Sequence, residues 1–286
     1  MIGRLAWVTT RGARGRDDDE PLALAALAAA GVRTDVLDWD DPGVDWAGYD
    51  RAVLRSAWDY PERLPEFLEW LAVVDAATEL RNPAPTVRWN LDKHYLAELA
   101  DAGVPVIPTA YAEPGDRAEL PAGEFVVKPA VGAGSRDAAS YGPEQHEAAR
   151  AHVARLHARG ATAMLQPLLA SVAREGEWPL VFLGGEYSHA ASKRVDLPRA
   201  GAVEGLFAAE RTAPHAADAA QRAVAHAAVE VLAVRFGVPA YGRVDLVRDD
   251  DDGRPCVLEV ELVEPSLFLP HGGPAAVDRL VAAVAG

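Results

Sequence analysis

The sequence predicts a mixed α/β protein, with a small, mostly parallel α/β unit in front and a hairpin-built α+β region behind. Three observations predict it. Apolar strand-like runs alternate with helical ones as far as NPAP, residues 82–85, the alternation of a parallel sheet. Beyond that point hairpin signals take over: Gly184-Gly185 between two apolar runs, and RDDDDGR between YGRVDLV and PCVLEVEL. Half of the 286 residues are hydrophobic, enough for more than one core.

The elements follow in order. Residues 4–10, 32–39 and 50–57 read as strands. PLALAALAAAG, 21–31, is a helix ended by Gly31, and 61–77 is a second helix. NPAP marks a boundary. The 90–103 stretch reads as a helix with Asn90 as N-cap and Gly103 beyond its end. EFVVKPAVGAGS, 124–135, is a strand running into a glycine-rich turn. Residues 144–159 form an amphipathic helix, 163–169 a strand, and 178–195 a hairpin. A long mobile loop is expected over 198–211, a helix over 214–236, then the last hairpin and a short terminal helix.

Charge narrows the partners. The formal net charge is −15, which argues against a nucleic-acid backbone or an anionic membrane surface as the main partner. No apolar run approaches the ~20 residues that span a bilayer, and the N-terminal apolar run is too short for a signal peptide. A cytoplasmic protein is expected. The lone Cys256 excludes an intramolecular disulfide and reads as a small core residue.

The basic side chains are 25 Arg and only three Lys: Lys93, Lys128 and Lys193. A chain that accepts arginine wherever a generic cation suffices keeps lysine where a compact ammonium is needed.

Two stretches carry chemistry. In LEVELVEP, Glu259 and Glu261 lie two residues apart on one strand and so share a face. A turn centred near Asp251 brings Asp245 opposite Glu259. Three clustered carboxylates raise one another's pKa unless a cation is present, and Mg²⁺ takes hard oxygen ligands while keeping room for phosphates. A solvent-facing hairpin edge with ordinary surface acids fits the same pattern. In VVKPAVGAGS, Lys128 ends a strand and Gly132 and Gly134 open a turn whose backbone can approach phosphates; a plain surface turn is the alternative. GxxxxGK[ST] and GxGxxG are both absent.

RSAWDY, 55–60, closes a predicted strand, where ligands of open α/β sheets gather. Arg55 offers a fork for a substrate carboxylate, with Trp58, Asp59 and Tyr60 as pocket walls; a helix-capping turn with Trp58 in the core is the other reading. Arg243 faces the same side as Asp245 and is a second carboxylate-binding candidate. Glu264, Ser266 and His271 follow the metal strand. His189 reads as a packed strand histidine.

Taken in order, these parts resemble the ATP-grasp ligases, similar in layout to glutathione synthetase, over roughly 90–270. The resemblance implies an ATP-grasp fold. A pre-ATP-grasp domain would span 1–88, a central subdomain 89–170, and a C-terminal subdomain 171–286 carrying the metal site, with ATP sandwiched between the two subdomains. It implies that Lys93 and Lys128 are the two ATP lysines and that Gly132, Gly134 and Ser135 cover the phosphates. Gln166 and Leu168 would hold adenine and Glu177 the ribose, while Lys193 or Arg194 would touch the γ-phosphate or acyl phosphate. Asp245, Glu259 and Glu261 would bind Mg²⁺, and many members have Asn where Glu261 stands. RSAWDY, RWNLDK and EVELVEPSLF together resemble the branch that includes the O-ureido-D-serine cyclo-ligases of D-cycloserine biosynthesis.

The implied activity is ATP- and Mg²⁺-dependent ligation of a carboxylate to an amine through an acyl phosphate, on a small amino-acid-like substrate, in an enzyme that is a homodimer in related cases. Catalysis would rest on Lys193, Arg243, Arg55, Glu264 and Ser266. Joining two separate substrates, phosphotransfer without amide formation, and nucleotide binding without catalysis are the competing functions.

Overall fold

The computed structural model describes residues 2–201 and 208–286. Its first sheet has the order β2-β1-β3-β4, from Arg4–Thr9 (β1), Arg33–Asp38 (β2), Arg51–Ser56 (β3) and Glu79–Arg81 (β4), all parallel. Helices Glu20–Ala29 (α1) and Leu64–Ala77 (α2) make the crossovers. α2 buries Phe67, Trp70, Leu71 and Val74 against Ala52 and Leu54 of β3.

The second sheet, order β5-β8-β6-β7, is antiparallel. It is built from Ala110–Ala112 (β5), Phe125–Pro129 (β6), Ala139–Tyr141 (β7) and Ala163–Pro167 (β8), with helix α5, His146–His157, packed on it. The third, order β11-β10-β9-β12-β13, is also antiparallel: Trp178–Leu183 (β9), Glu186–Val195 (β10), Glu210–His215 (β11), Tyr241–Arg248 (β12) and Pro255–Glu261 (β13). Gly184 and Gly185, both at positive φ, turn β9 into β10. Ala170–Glu175 (α6) precedes β9. Ala219–Phe236 (α7) is capped by Asp218, whose side chain accepts from the Gln221 amide. Leu269–Gly272 (α8) and Pro274–Ala285 (α9) end the chain.

One face of the third sheet is core. Leu180, Phe182, Val244, Leu246, Val260 and Leu262 pack there with Ala228 and Leu232 of α7. Side chains alternate along a strand, so Arg243, Asp245, Glu259 and Glu261 project from the opposite face. The first and third sheets are joined by a shared core in which Leu5, Trp7 and Val53 meet Val181, Tyr241, Leu267 and Leu280.

Several expectations are corrected. The 90–103 stretch is not one helix. Ala84–Asn90 (α3) ends at Asn90 and Tyr95–Asp101 (α4) begins after a turn. Asn90 is no N-cap: its side chain donates to the Val260 carbonyl (2.8 Å) and accepts from the Leu262 amide (2.6 Å), stitching the helix to β13. Lys93 therefore sits in the turn between two helices, its amide on the Ala130 carbonyl (3.0 Å). The 198–211 segment is not wholly a loop. Pro198 and Ala200 pair with the Ser140 backbone, and β11 begins at Glu210; positions 202–207 of that expected mobile loop lie outside the described residues. The helix expected from 214 starts at Ala219 because 210–215 pairs with β10 instead.

Candidate active site

The β12–β13 register sets Arg243 opposite Glu261 and Asp245 opposite Glu259, with an irregularity just after Asp245. The acids do meet on one face, but each is already held by a cation. Lys93 Nζ lies 3.0 Å from Glu259 Oε1, and Lys128 Nζ lies 3.6 Å from Glu259 Oε2. Lys193 Nζ bridges Glu177 (2.7 Å) and Asp245 (3.1 Å). Arg243 forks onto both oxygens of Asp245 (2.6 and 2.9 Å), pairs with Glu261, and donates to the Ser266 carbonyl (2.9 Å). All three lysines of the chain thus reach one acidic face.

Local backbone explains the reach. Gly176 has φ +81, and a Cβ there would stand 2.5 Å from the Lys193 carbonyl. Only glycine lets the chain pass close enough for Glu177 and Lys193 to exchange backbone bonds (2.7 and 2.8 Å). Lys93 also donates to the Gly132 carbonyl (2.9 Å), which ties the glycine turn down over the acids. Gly134, Ser135, Lys193, Glu259, Glu261 and Glu264 line one cavity. A second cleft of about 420 Å³ is bordered by Leu168, Glu177 and Val195.

Charge is strained here. Burial opposes the charge on Asp245, but Arg243 and Lys193 hold it down at about 2. Burial likewise opposes Glu259, yet Lys93 and Lys128 keep it below the usual carboxylate range. Glu261 is pushed up to about 7 by burial, with Asp245 and Glu259 adding to the rise against Arg243. Glu264 goes up to about 8, through burial and then the neighbouring Glu261 charge; it has no ion-pair partner among the described residues. Burial would lower Lys193, but Asp245 and Glu177 leave it raised. For Lys128 burial wins over Glu259, and the nearby Lys93 charge helps to lower it.

Residues 5–82 match the family model described as D-cycloserine synthetase DcsG, N-terminal domain. Over 281 residues the chain is 44% identical to the cycloserine biosynthesis protein DcsG of Streptomyces lavendulae, covering 94% of this chain and 93% of that one. The chain belongs to the D-cycloserine synthetase branch of the ATP-grasp ligases. It is similar along 99% of both chains to the crystal structure of D-cycloserine synthetase DcsG, at TM-score 0.90 and 43% identity. The ATP-grasp ligase PsnB, in complex with a phosphomimetic variant of its minimal precursor, Mg and ADP, shares the fold at TM-score 0.61 and 19% identity over 98% of each chain.

Among the described residues no three acids converge as a ready-made metal cage. The donor set nonetheless fits magnesium. It is all oxygen, and Glu261 and Glu264 are driven toward protonation for want of positive charge. Gln166 is buried with its side-chain amide on Thr109 (3.0 Å). The Leu168 amide donates to the Glu124 carbonyl (2.9 Å), and the residue is half-buried. Arg194 turns away from the site, to the Ala173 (3.0 Å) and Arg174 (2.5 Å) carbonyls.

Arg55 is the clear correction. It does not fork onto a ligand: its side chain has no exposed surface, and it donates to Asp19 (3.2 Å) and the Pro265 carbonyl (2.9 Å) between the Trp7 and Tyr241 rings. Segment 264–269 folds over the end of β3 and seals it. Asp59 likewise accepts from Thr10 and Trp39 rather than facing a ligand. Trp58 is buried and also lines the cavity, so both readings of RSAWDY hold in part. His189 is a packed strand residue bonded to the Leu267 carbonyl (2.7 Å).

Sequence reasoning missed Phe268. Its backbone is left-handed (φ 48) and its ring lies 5.3 Å from the Arg243 guanidinium carbon. A bulky residue at positive φ is a strain signal, and nothing in EPSLFLPH announces it.

Proposed function

We propose that this chain uses ATP and Mg²⁺ to activate the carboxylate of O-ureido-D-serine and closes it on a nitrogen of the same molecule to give D-cycloserine. The observation that carries the proposal is the convergence of Lys93, Lys128 and Lys193 on Glu259, Glu177 and Asp245 in one cleft. The identity to a cycloserine biosynthesis protein supports the choice of substrate.

Lys93 and Lys128, with the Gly132, Gly134 and Ser135 backbone, hold the phosphates. Leu168 and Gln166 border the adenine, and Glu177 takes the ribose hydroxyls. Asp245, Glu259 and Glu261 would hold magnesium, which when bound neutralises charge growing on the phosphate oxygens. A phosphate chain offers the lysines a better partner than the acids they now hold, which frees those acids for the metal.

The substrate carboxylate attacks the γ-phosphorus and ADP departs, leaving an acyl phosphate. Lys193 and Arg243 stabilise the charge that develops in that step. The oxygen-bound nitrogen then displaces phosphate and passes its proton to Glu264, which accepts it in the ionised form that fills as pH approaches about 8; the carbamoyl group on that nitrogen leaves and, with one water, ends as ammonia and carbon dioxide. Ser266 orients the substrate through the carbonyl that also holds Arg243.

The test is phosphate release and product mass with O-ureido-D-serine as sole organic substrate. Stoichiometric ADP, phosphate, ammonia and carbon dioxide and a cyclised product are expected. A requirement for a second amine would favour a two-substrate ligase, and a stable phosphorylated product a phosphotransferase.

A further inference from the structure

Segment 264–269 brings Phe268 to the active-site cavity in a conformation that a chain does not adopt freely. Its backbone is left-handed, φ 48 and ψ 39, a region that a bulky side chain enters only under constraint. Neighbouring groups supply that constraint. The amides on either side, of Leu267 and Leu269, donate to Oδ2 (2.5 Å) and Oδ1 (2.7 Å) of Asp19, which Arg55 also holds. The Phe268 carbonyl accepts from the His271 (2.9 Å) and Gly272 (3.2 Å) amides. Gripped from both sides, the residue keeps its strain, and strain that the surroundings enforce points to a use.

The use lies in where the ring goes. Phe268 is buried, and the surface it keeps borders the active-site cavity and a neighbouring one of about 210 Å³. The Arg243 guanidinium carbon lies over its ring, 5.3 Å from the centroid, within the range of a cation–π contact. The edge of that guanidinium is taken as well: of its five N–H donors, two go to Asp245, one to Glu261 and one to the Ser266 carbonyl. Acids and a carbonyl thus fix the guanidinium within its plane, and the ring supports it from outside that plane. One donor, on Nη1, has no partner among the described residues.

We propose that Phe268 is the positioning residue of Arg243: its ring, held in place by the grip of Asp19 on the backbone, keeps the guanidinium in one orientation at the cavity, ready for the charge that develops during carboxylate activation. The inference rests on the role of Arg243 proposed above and adds what pre-organises it. A guanidinium free to swing has to be ordered again in each turnover, whereas a fixed one costs no reorganisation at the moment of reaction. The role also accounts for an aromatic side chain at a left-handed position, where glycine would carry no strain.

The test is a double-mutant cycle read as phosphate release with ATP and O-ureido-D-serine. Phe268→Leu removes the ring and keeps an apolar filler. It should lower kcat about 3- to 30-fold, the range of a cation–π contact, with KM for ATP unchanged. Phe268→Tyr keeps the ring and should retain at least about half of the wild-type kcat. In an Arg243→Gln background, where no guanidinium is left to hold, Phe268→Leu should change kcat less than about twofold. A packing role alone gives the same loss in both backgrounds, and that result overturns the proposal; so does a wild-type kcat for Phe268→Leu. If Phe268→Leu does not fold, Phe268→Asn takes its place, since asparagine accepts the left-handed region. Wild-type phosphate release by Arg243→Gln overturns the role of Arg243 and the proposal with it. A wild type that ignores O-ureido-D-serine but turns over another amino acid overturns the substrate reading alone, and the cycle is then read on that amino acid. Response to no amino acid overturns both.

Discussion

Arg55 and Arg243 are both buried, both bond a carboxylate, and both donate to a carbonyl of the same short segment, Pro265 for one and Ser266 for the other. Their surroundings separate them. Arg55 lies between two aromatic rings, and its acid, Asp19, is saturated by two amides. Arg243 faces a cavity shared with Glu259, Glu261 and Glu264, where acids outnumber what the nearby cations can neutralise. Enclosed between aromatic rings and tied to Asp19 and the Pro265 carbonyl, the first group holds two units of the chain together. Facing a cavity over-supplied with negative charge, the second is the one that the proposed function assigns to a ligand. Burial of a charge therefore says little about function until the charge count around it and access to it are known.

The largest expected effect separates the acids from their scaffold. Glu259→Gln should cut substrate-dependent phosphate release at least about 100-fold with circular dichroism and Tm near wild type; full activity would remove Glu259 from the site.

The arginine pair gives the next contrast. Arg55→Met leaves Asp19 buried without its cation and should cost about 3–5 kcal/mol in denaturant unfolding, with kcat preserved in the folded fraction. Arg243→Lys should do the reverse, lowering kcat about 10- to 100-fold with little change in unfolding midpoint. Equal losses in both assays for both variants would erase the distinction.

Glu264 sharpens it further. Its carboxyl must be ionised to accept a proton, and its pKa stands at about 8. The wild-type kcat/KM should therefore rise with pH through about 8. Glu264→Gln should be slower by about 10- to 100-fold and lack that limb.

The smallest effect belongs to a buried ionisable group outside the site. His152 is bonded to the Tyr141 hydroxyl (2.8 Å), and burial pushes it down to about 4 from 6.5. The unfolded chain takes up a proton as pH falls through about 6.5 while the folded chain stays neutral to about 4. Stability should thus decline over that window, by up to about 1.4 kcal/mol per pH unit, and level off below it. His152→Gln should flatten the slope measured by urea unfolding between pH 7 and 4, without changing activity at pH 7.5.

Much of the site was legible because it obeys short-range rules. The two-residue period of a strand fixes that Glu259 and Glu261 share a face, and a short turn fixes that Asp245 meets them. The three lysines stood out by scarcity. Elements that obey no clear period were lost: β5, β7 and β4 have three residues each. β11 carries Pro214 and a mostly exposed face, so its strand character comes from its partner β10. Asn90 carried a cap signal, but two backbone groups of β13 made the better partners.

The sequence by itself determined the alternation of elements and the shared face of the acids, because these depend on neighbours within a few residues. Only the tertiary structure decided which buried charges are sealed into the fold and which line a cavity. Arg55 ends a strand with a plain claim on a substrate, and it is the crossing of segment 264–269, more than 200 residues away in the chain, that closes over it. Desolvation depends on what covers a group, and no local pattern records that.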